Sequence, residues 1–129
     1  MKYAIVIAHL FAATPALAQI LPPPEYDRPY TGRLTVDTVP TQRALAEICP
    51  QAAARAPNII GCAFRSHDGS HCRVVLVAEA VIVALGATRA KILRHEIGHC
   101  NGWPGHHPGA LAGPRAEPPS SRARLYPNQ

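Results

Sequence analysis

Two apolar segments joined by a polar turn stand out in the middle of the chain. Residues 58–64 and 72–78 are mostly apolar and include β-branched side chains, as strands do. Between them, His-Asp-Gly-Ser at residues 67–70 is typical of a turn, so the pattern predicts a β-hairpin. Apolar and polar positions also alternate weakly over residues 33–36, which predicts a further short strand.

A first helix is predicted between that strand and the hairpin. Apolar residues recur on one helical face up to Cys49, and Pro50 is expected to end the helix. Asp37 or Thr38 can cap its start, with Pro40 in the first turn.

A second helix is predicted after the hairpin. Thr88 is a favourable N-cap for a helix over residues 89–101. Gly102 suits the position that follows a helix, and Pro104 prevents continuation. The apolar residues 79–86 before this helix fit either a strand or a buried helical turn.

The first 18 residues have the organisation of a secretory signal peptide. Lys2 supplies a positive start, residues 3–13 are almost entirely apolar, and Ala-Leu-Ala at 16–18 is a small-x-small cleavage site. The apolar run of about 11 residues is shorter than the roughly 20 that a membrane span needs. We expect cleavage after Ala18 and a periplasmic or secreted protein, with no membrane span in the mature chain.

Proline-rich ends flank the part of the mature chain that can fold. Residues 19–33 are expected to form an extended arm without regular structure, and residues 109–129 a disordered tail rich in Pro and Arg. Residues 34–108 then form one α+β domain, in which a small sheet built on the hairpin packs on the two helices. The arm or the tail could engage a partner protein.

The composition supports this outline and excludes two classes of protein. A chain of 129 residues allows one domain, and its 14 prolines and 9 glycines exclude a long helical bundle. Lys and Arg number 13 against 8 Asp and Glu, but the basic residues are scattered along the chain. A nucleic-acid partner is therefore not expected.

Four cysteines lie in the predicted mature chain, at Cys49, Cys62, Cys72 and Cys100. In a small exported protein an even number of cysteines indicates disulfides, so two are expected. A five-residue hairpin loop would place Cys62 opposite Cys72, which favours that bond and leaves Cys49 to pair with Cys100. A two-residue turn would instead pair Arg65 with Cys72 and keep Cys62 out of reach.

The clearest chemical signal is the sequence His95-Glu96-Ile97-Gly98-His99 on the second predicted helix. Residues four apart lie on one face of a helix, so His95 and His99 can both reach a Zn²⁺ ion at about 2.0–2.1 Å. Glu96 is adjacent and can act as general base on a zinc-bound water.

A catalytic zinc site needs a third protein ligand. His106 and His107 follow the helix after a short turn and are the two strong candidates. Trp103 is expected either to line a substrate pocket or to pack in the core. Weaker candidates for the third ligand are Glu117, Glu79, His67 and His71.

The motif of His95, Glu96, His99 and Gly102, followed by His106, resembles the extended zinc motif of the metzincin metallopeptidases. The spacing differs, because that family's third His follows the Gly by three residues and His106 follows it by four. The chain also lacks the family's Met-bearing turn, since its only Met is Met1. The wider zincin class is the better match.

The run from His95 to Pro104 is also similar to that of very short exported bacterial zincin-like peptidases. These resemblances imply a minimal zincin-like domain in which His106 completes the zinc site.

The sequence thus predicts an exported zinc-dependent metallopeptidase. It would hydrolyse an amide bond of a peptide or protein through a zinc-bound water, with Glu96 as general base. The alternative is a non-catalytic zinc-binding or disulfide-stapled interaction module in the periplasm.

Overall fold

The computed structural model describes residues 20–113, and within them the chain is a mixed α+β structure with four helices and two small sheets. The predicted α+β class is confirmed. The predicted signal peptide and residues 114–129 of the predicted tail lie outside the described residues. The strands are β1 (Ile20–Leu21), β2 (Arg33–Val39), β3 (Gly61–Arg65), β4 (His71–Val77) and β5 (Leu111–Ala112). The helices are α1 (Gln42–Ile48), α2 (Pro50–Arg55), α3 (Glu79–Ala84) and α4 (Arg89–Cys100).

A three-stranded sheet in the order β2-β4-β3 forms the centre of the fold. The strand β4 pairs in parallel with β2 and antiparallel with β3, so the predicted hairpin is present, with β4 at the centre of the sheet and β3 at its edge. All four side chains of residues 74–77 on β4 are fully buried. A strand that is buried on both faces typically has a continuous run of apolar residues. This is the case for β4, which helices contact on both faces of the sheet.

The hairpin register differs from the favoured one and changes the disulfides. Arg65 pairs with Cys72, and Cys62 lies opposite Val75. Because side chains alternate between faces along a strand, Cys62 and Cys72 project to opposite sides of the sheet. The expected pairing is therefore wrong, and the disulfides are Cys49–Cys62 and Cys72–Cys100.

Each disulfide joins the sheet to a helical segment on one of its faces. Cys49 lies between α1 and α2, and Cys100 is the last residue of α4. Two structural disulfides are typical of proteins that fold in an oxidising compartment. No helix within residues 20–113 combines the length and apolar character needed to cross a bilayer.

The first helix starts later than expected and ends before Pro50 as expected, with Cys49 as its C-cap, but a second helix follows at once. Thr41, rather than Asp37 or Thr38, caps α1 by accepting a hydrogen bond from the amide of Ala44 at 3.1 Å. Pro50 is instead the first residue of α2. A proline is tolerated there because the first turn of a helix leaves its amides without partners inside the helix.

The second predicted helix is confirmed together with both of its ends. Thr88 caps α4 by accepting from the amide of Lys91 at 3.3 Å. Gly102 has a φ of +99°, and the amides of Gly102 and Trp103 donate to the carbonyls of His99 and Gly98. This left-handed ending turns the chain back towards the helix. The ambiguous segment before it is the helix α3.

The N-terminal arm is packed against α4, so the expectation of an arm without regular structure is wrong. The strand β1 pairs antiparallel with β5, and residues 21–23 are buried. A Cβ at Gly98 would lie 2.8 Å from the Cβ of Pro22, so only glycine permits this approach. An Arg94–Asp27 ion pair holds the next turn of the arm on the helix. The prediction failed because this packing depends on tertiary contacts.

Candidate metal centre

Three histidine side chains converge at the end of α4. The Nε2 atoms of His95, His99 and His107 form a triangle in which each pair is 3.2 Å apart. His95 and His99 lie one turn apart on α4, and His107 comes from the loop that follows it. Within residues 20–113 these three are the one group of metal-binding side chains close enough to share an ion.

Backbone carbonyls determine which ring nitrogen of two histidines carries the proton. His95 Nδ1 donates to the carbonyl of Ile20 at 2.9 Å, and His99 Nδ1 donates to the carbonyl of Trp103 at 2.7 Å. A carbonyl can only accept, so both protons lie on Nδ1 and both Nε2 atoms present lone pairs. Two lone pairs that face each other at this distance favour a cation between them.

The size of the triangle fits a zinc ion. Tetrahedral coordination with Zn–N bonds of about 2.0–2.1 Å separates two ligand nitrogens by about 3.3 Å. The observed separations are 3.2 Å. Three imidazole ligands leave a fourth position, which is the arrangement of catalytic rather than structural zinc sites. Imidazole also suits copper, nickel and iron, so the donor set alone does not identify the metal.

The third histidine of the cluster is His107, not the expected His106. The amide of His107 donates to the carbonyl of Pro104 at 2.9 Å, and His107 has a φ of +57°. Adjacent residues in such a turn point in different directions, so His106 is exposed while His107 faces the cluster. The left-handed backbone is uncommon for a residue with a side chain and is often found at functional sites.

The weaker candidates do not join the cluster. His67 and His71 lie exposed at the hairpin turn, and Glu79 is exposed at the start of α3. Glu117 lies outside the described residues. All four cysteines within residues 20–113 form disulfides and therefore are not thiolate ligands.

Burial keeps the histidines in the form that binds a metal. It lowers the pKa of His95 to about 4, with smaller contributions from the two other histidines. It also lowers the pKa of His107 to about 4 and lowers the pKa of His99. At neutral pH all three rings are therefore uncharged, as metal coordination requires.

Glu96 lies beside the cluster with 5% of its surface exposed. Burial raises the pKa of its carboxyl to about 8. A Cβ at Gly61 would lie 2.8 Å from Glu96 Oε1, so the carboxylate packs directly on the backbone of β3. Within residues 20–113, every polar side-chain atom that is shielded from solvent has a hydrogen-bond partner. Glu96 also lines the cleft described below, and we therefore place its carboxylate oxygens at the cleft surface.

Trp103 forms one wall of the site and is 2% exposed. Its ring stacks on that of His99, with centroids 5.1 Å apart and an interplanar angle of 18°. Its Nε1 donates to the carbonyl of Pro108 at 2.9 Å, which anchors the loop that carries His107. Trp103 thus both packs in the core and lines the cleft, the two roles that the sequence had left open.

A cleft of about 1090 Å³ opens over the histidines and Glu96. Residues 48–52 and 55–57, which include most of α2, line it together with the loop after α4. The segment 58–64, with most of β3, also lines it. Because β3 is at an edge of the three-stranded sheet, an edge strand runs along the cleft.

Sequence reasoning missed three contributors to this site. The carbonyl of Ile20 and the space left by Gly61 act through the backbone, which leaves no motif in the sequence. Arg55 lines the cleft from the end of α2, a helix that begins at the proline expected to end the first helix.

No protein-family model matches this sequence, and no similar curated protein or solved structure was found. The interpretation of the site therefore depends on the chain's own residues.

Proposed function

We propose that this protein is an exported zinc-dependent peptidase with a minimal zincin-like fold. The observation that carries the proposal is the position of Glu96, a buried carboxyl beside three convergent histidine nitrogens at the base of a cleft. A metal site that only stores or stabilises has no need for this carboxyl. Hydrolysis does, because the attacking water must lose a proton.

His95, His99 and His107 would hold the zinc ion. Bound there, zinc would supply Lewis acidity to the carbonyl of the peptide bond and to a water molecule. The carbonyls of Ile20 and Trp103 orient two of the rings, so the ligand geometry is set before the ion binds.

Glu96 would take the proton from the attacking water and deliver it to the leaving amine. Burial raises its pKa to about 8, and a zinc ion bound by the histidines would favour the ionised form. These opposing influences would bring the pKa of the carboxyl close to 7. A group with such a pKa can both accept and donate a proton at neutral pH.

The edge strand β3 offers a binding surface for an extended peptide. A strand at the edge of a sheet has backbone groups free for pairing, and recognition by strand addition uses them. The cleft-lining part of β3 includes Gly61, on which Glu96 packs. A peptide paired with this strand would bring its backbone close to the carboxyl and the histidines.

Export follows from the predicted signal peptide at residues 1–18 and agrees with the two disulfides. The periplasm or the exterior of the cell is therefore the proposed location.

The test compares the zinc-loaded protein, purified from an oxidising compartment, with its Glu96→Gln variant on a mixed peptide library read by mass spectrometry. We expect the wild type to cleave peptides and Glu96→Gln to lose activity by a factor of about 10²–10⁴. Both proteins should contain the same amount of zinc.

Glu47→Gln serves as the matched control, because Glu47 is exposed on α1 away from the histidines. Failure of the fully zinc-loaded wild type to cleave any peptide would reject the peptidase. Equal activity of Glu96→Gln and the wild type would also reject it. The non-catalytic zinc-binding module would then be the better account.

A further inference from the structure

Within residues 20–113, Arg55 is the one side chain with a permanent positive charge that lines the cleft. Among residues 20–113, two charged side chains line the cleft, Arg55 and Glu96. Glu96 is at the base next to the histidines, whereas Arg55 is exposed at the end of α2. The cleft therefore has an acid at its base and a permanent positive charge at its mouth.

The guanidinium reaches across the cleft to the loop that carries the third histidine. Its Nη1 lies 2.8 Å from the position that a Cβ would take at Gly105. A glycine at position 105 leaves the space that the guanidinium occupies.

Arg55 has no acidic partner in the described part of the chain. The three ion pairs there are Arg43–Glu47, Arg73–Asp37 and Arg94–Asp27. An exposed cleft arginine with no acidic partner among residues 20–113 can bind an anionic group of a ligand.

We propose that Arg55 determines substrate specificity by binding a carboxylate of the peptide. The planar guanidinium presents paired N–H donors that match the two oxygens of a carboxylate. The carboxylate would belong either to the free C-terminus of the peptide or to an Asp or Glu side chain near the scissile bond. This inference rests on the proposed peptidase function and adds the class of substrate.

The test uses two matched pairs of peptides with the zinc-loaded protein. One pair differs only in a free or amidated C-terminus, and the other differs only in an internal Glu or Gln. We expect one pair to show a ratio of kcat/KM of about ten in favour of the carboxylate. The pair that shows it identifies the source of the carboxylate.

Arg55→Gln should reduce that ratio to about one, and Arg55→Lys should restore it only in part, because an ammonium lacks the paired donors. Arg43→Gln removes a similar exposed charge from α1 and should leave the ratio unchanged. Absence of a preference in the wild type, or an unchanged ratio in Arg55→Gln, would overturn the proposal.

Binding of the same peptides separates this inference from the proposed function. Trp103 is the only tryptophan of the chain and lines the cleft, so its fluorescence reports occupancy. In one outcome no peptide is cleaved, but the wild type still binds the carboxylate peptide of a pair more tightly than its neutral partner, and Arg55→Gln does not. The proposed catalysis is then wrong, and the role of Arg55 in binding a carboxylate holds. If peptides are cleaved without any dependence on Arg55, the assignment fails alone.

Discussion

The hairpin turn and the end of α4 contain the same types of residue in opposite environments. The turn places Asp68 near His67 and His71, and the helix places Glu96 near its own histidines. Asp68 is exposed and accepts hydrogen bonds from the Ser70 amide and the hydroxyls of its serine neighbours. These bonds lower the pKa of Asp68 to about 2.

Glu96 has the opposite character. It is buried, and burial raises its pKa to about 8. Asp68 Oδ1 accepts three hydrogen bonds within the turn, whereas Glu96 lines a cleft. The two regions therefore differ in three respects: the α4 group is buried, backbone carbonyls orient two of its histidine rings, and its carboxyl lines a cleft.

Removing one histidine from each region should give the largest contrast. A full set of zinc ligands is worth about 10–16 kcal/mol, so one histidine carries roughly 3 kcal/mol, or about a hundredfold in affinity. His99→Ala should lose at least this much zinc affinity in a competition titration with a chelator. His67→Ala should bind zinc like the wild type, and equal losses in both variants would remove the distinction.

Removing the carbonyl that orients His95 tests whether the backbone supports the cluster. A chain that begins at Pro22 lacks Ile20, whose carbonyl accepts from His95 Nδ1. Loss of such a partner typically lowers metal affinity about 10–100-fold. A chain that begins at Ile20 is the control, and equal affinities of the two chains would show that the arm does not position the ligand.

Filling the space under Glu96 should affect turnover and leave the metal in place. A Cβ in Gly61→Ala would lie 2.8 Å from Glu96 Oε1 and 3.0 Å from side-chain atoms of Ile92 and Leu76. The carboxylate must shift, and we expect kcat to fall about tenfold, because misplaced catalytic groups lose rate steeply. Zinc content should be unchanged.

A double variant checks the origin of that effect. If Gly61→Ala acts through the carboxylate, it should cause no further loss in a Glu96→Gln background. Additive losses would show that the substitution acts elsewhere.

Acid should affect zinc binding only weakly until the pH is well below that of ordinary histidines. Protons compete with zinc for Nε2, and burial lowers the pKa of His95 and His107 to about 4. Affinity should therefore fall less than about tenfold between pH 7 and 5.5 and decline as the pH approaches 4. Three histidines with ordinary pKa values near 6.5 would lose more than about a hundredfold over the same interval.

Features determined by local sequence were predictable, and those determined by packing were not. Thr88 and Gly102 set the two ends of α4 through contacts within a few residues. A spacing of four residues places His95 and His99 on the same face of that helix. The disulfides depended on a hairpin register that the turn residues left open. The choice between His106 and His107 as the third histidine depended on the left-handed backbone of His107. A histidine at that position does not indicate this backbone conformation.

The adjacent histidines after α4 offer the most direct test of the metal centre. The measurement is zinc per chain by mass spectrometry, made on the wild type, His106→Ala and His107→Ala after purification from an oxidising compartment. The cluster of His95, His99 and His107 predicts about one zinc in the wild type and in His106→Ala, and a loss of zinc in His107→Ala. Zinc retained by His107→Ala, or lost by His106→Ala alone, would contradict the account.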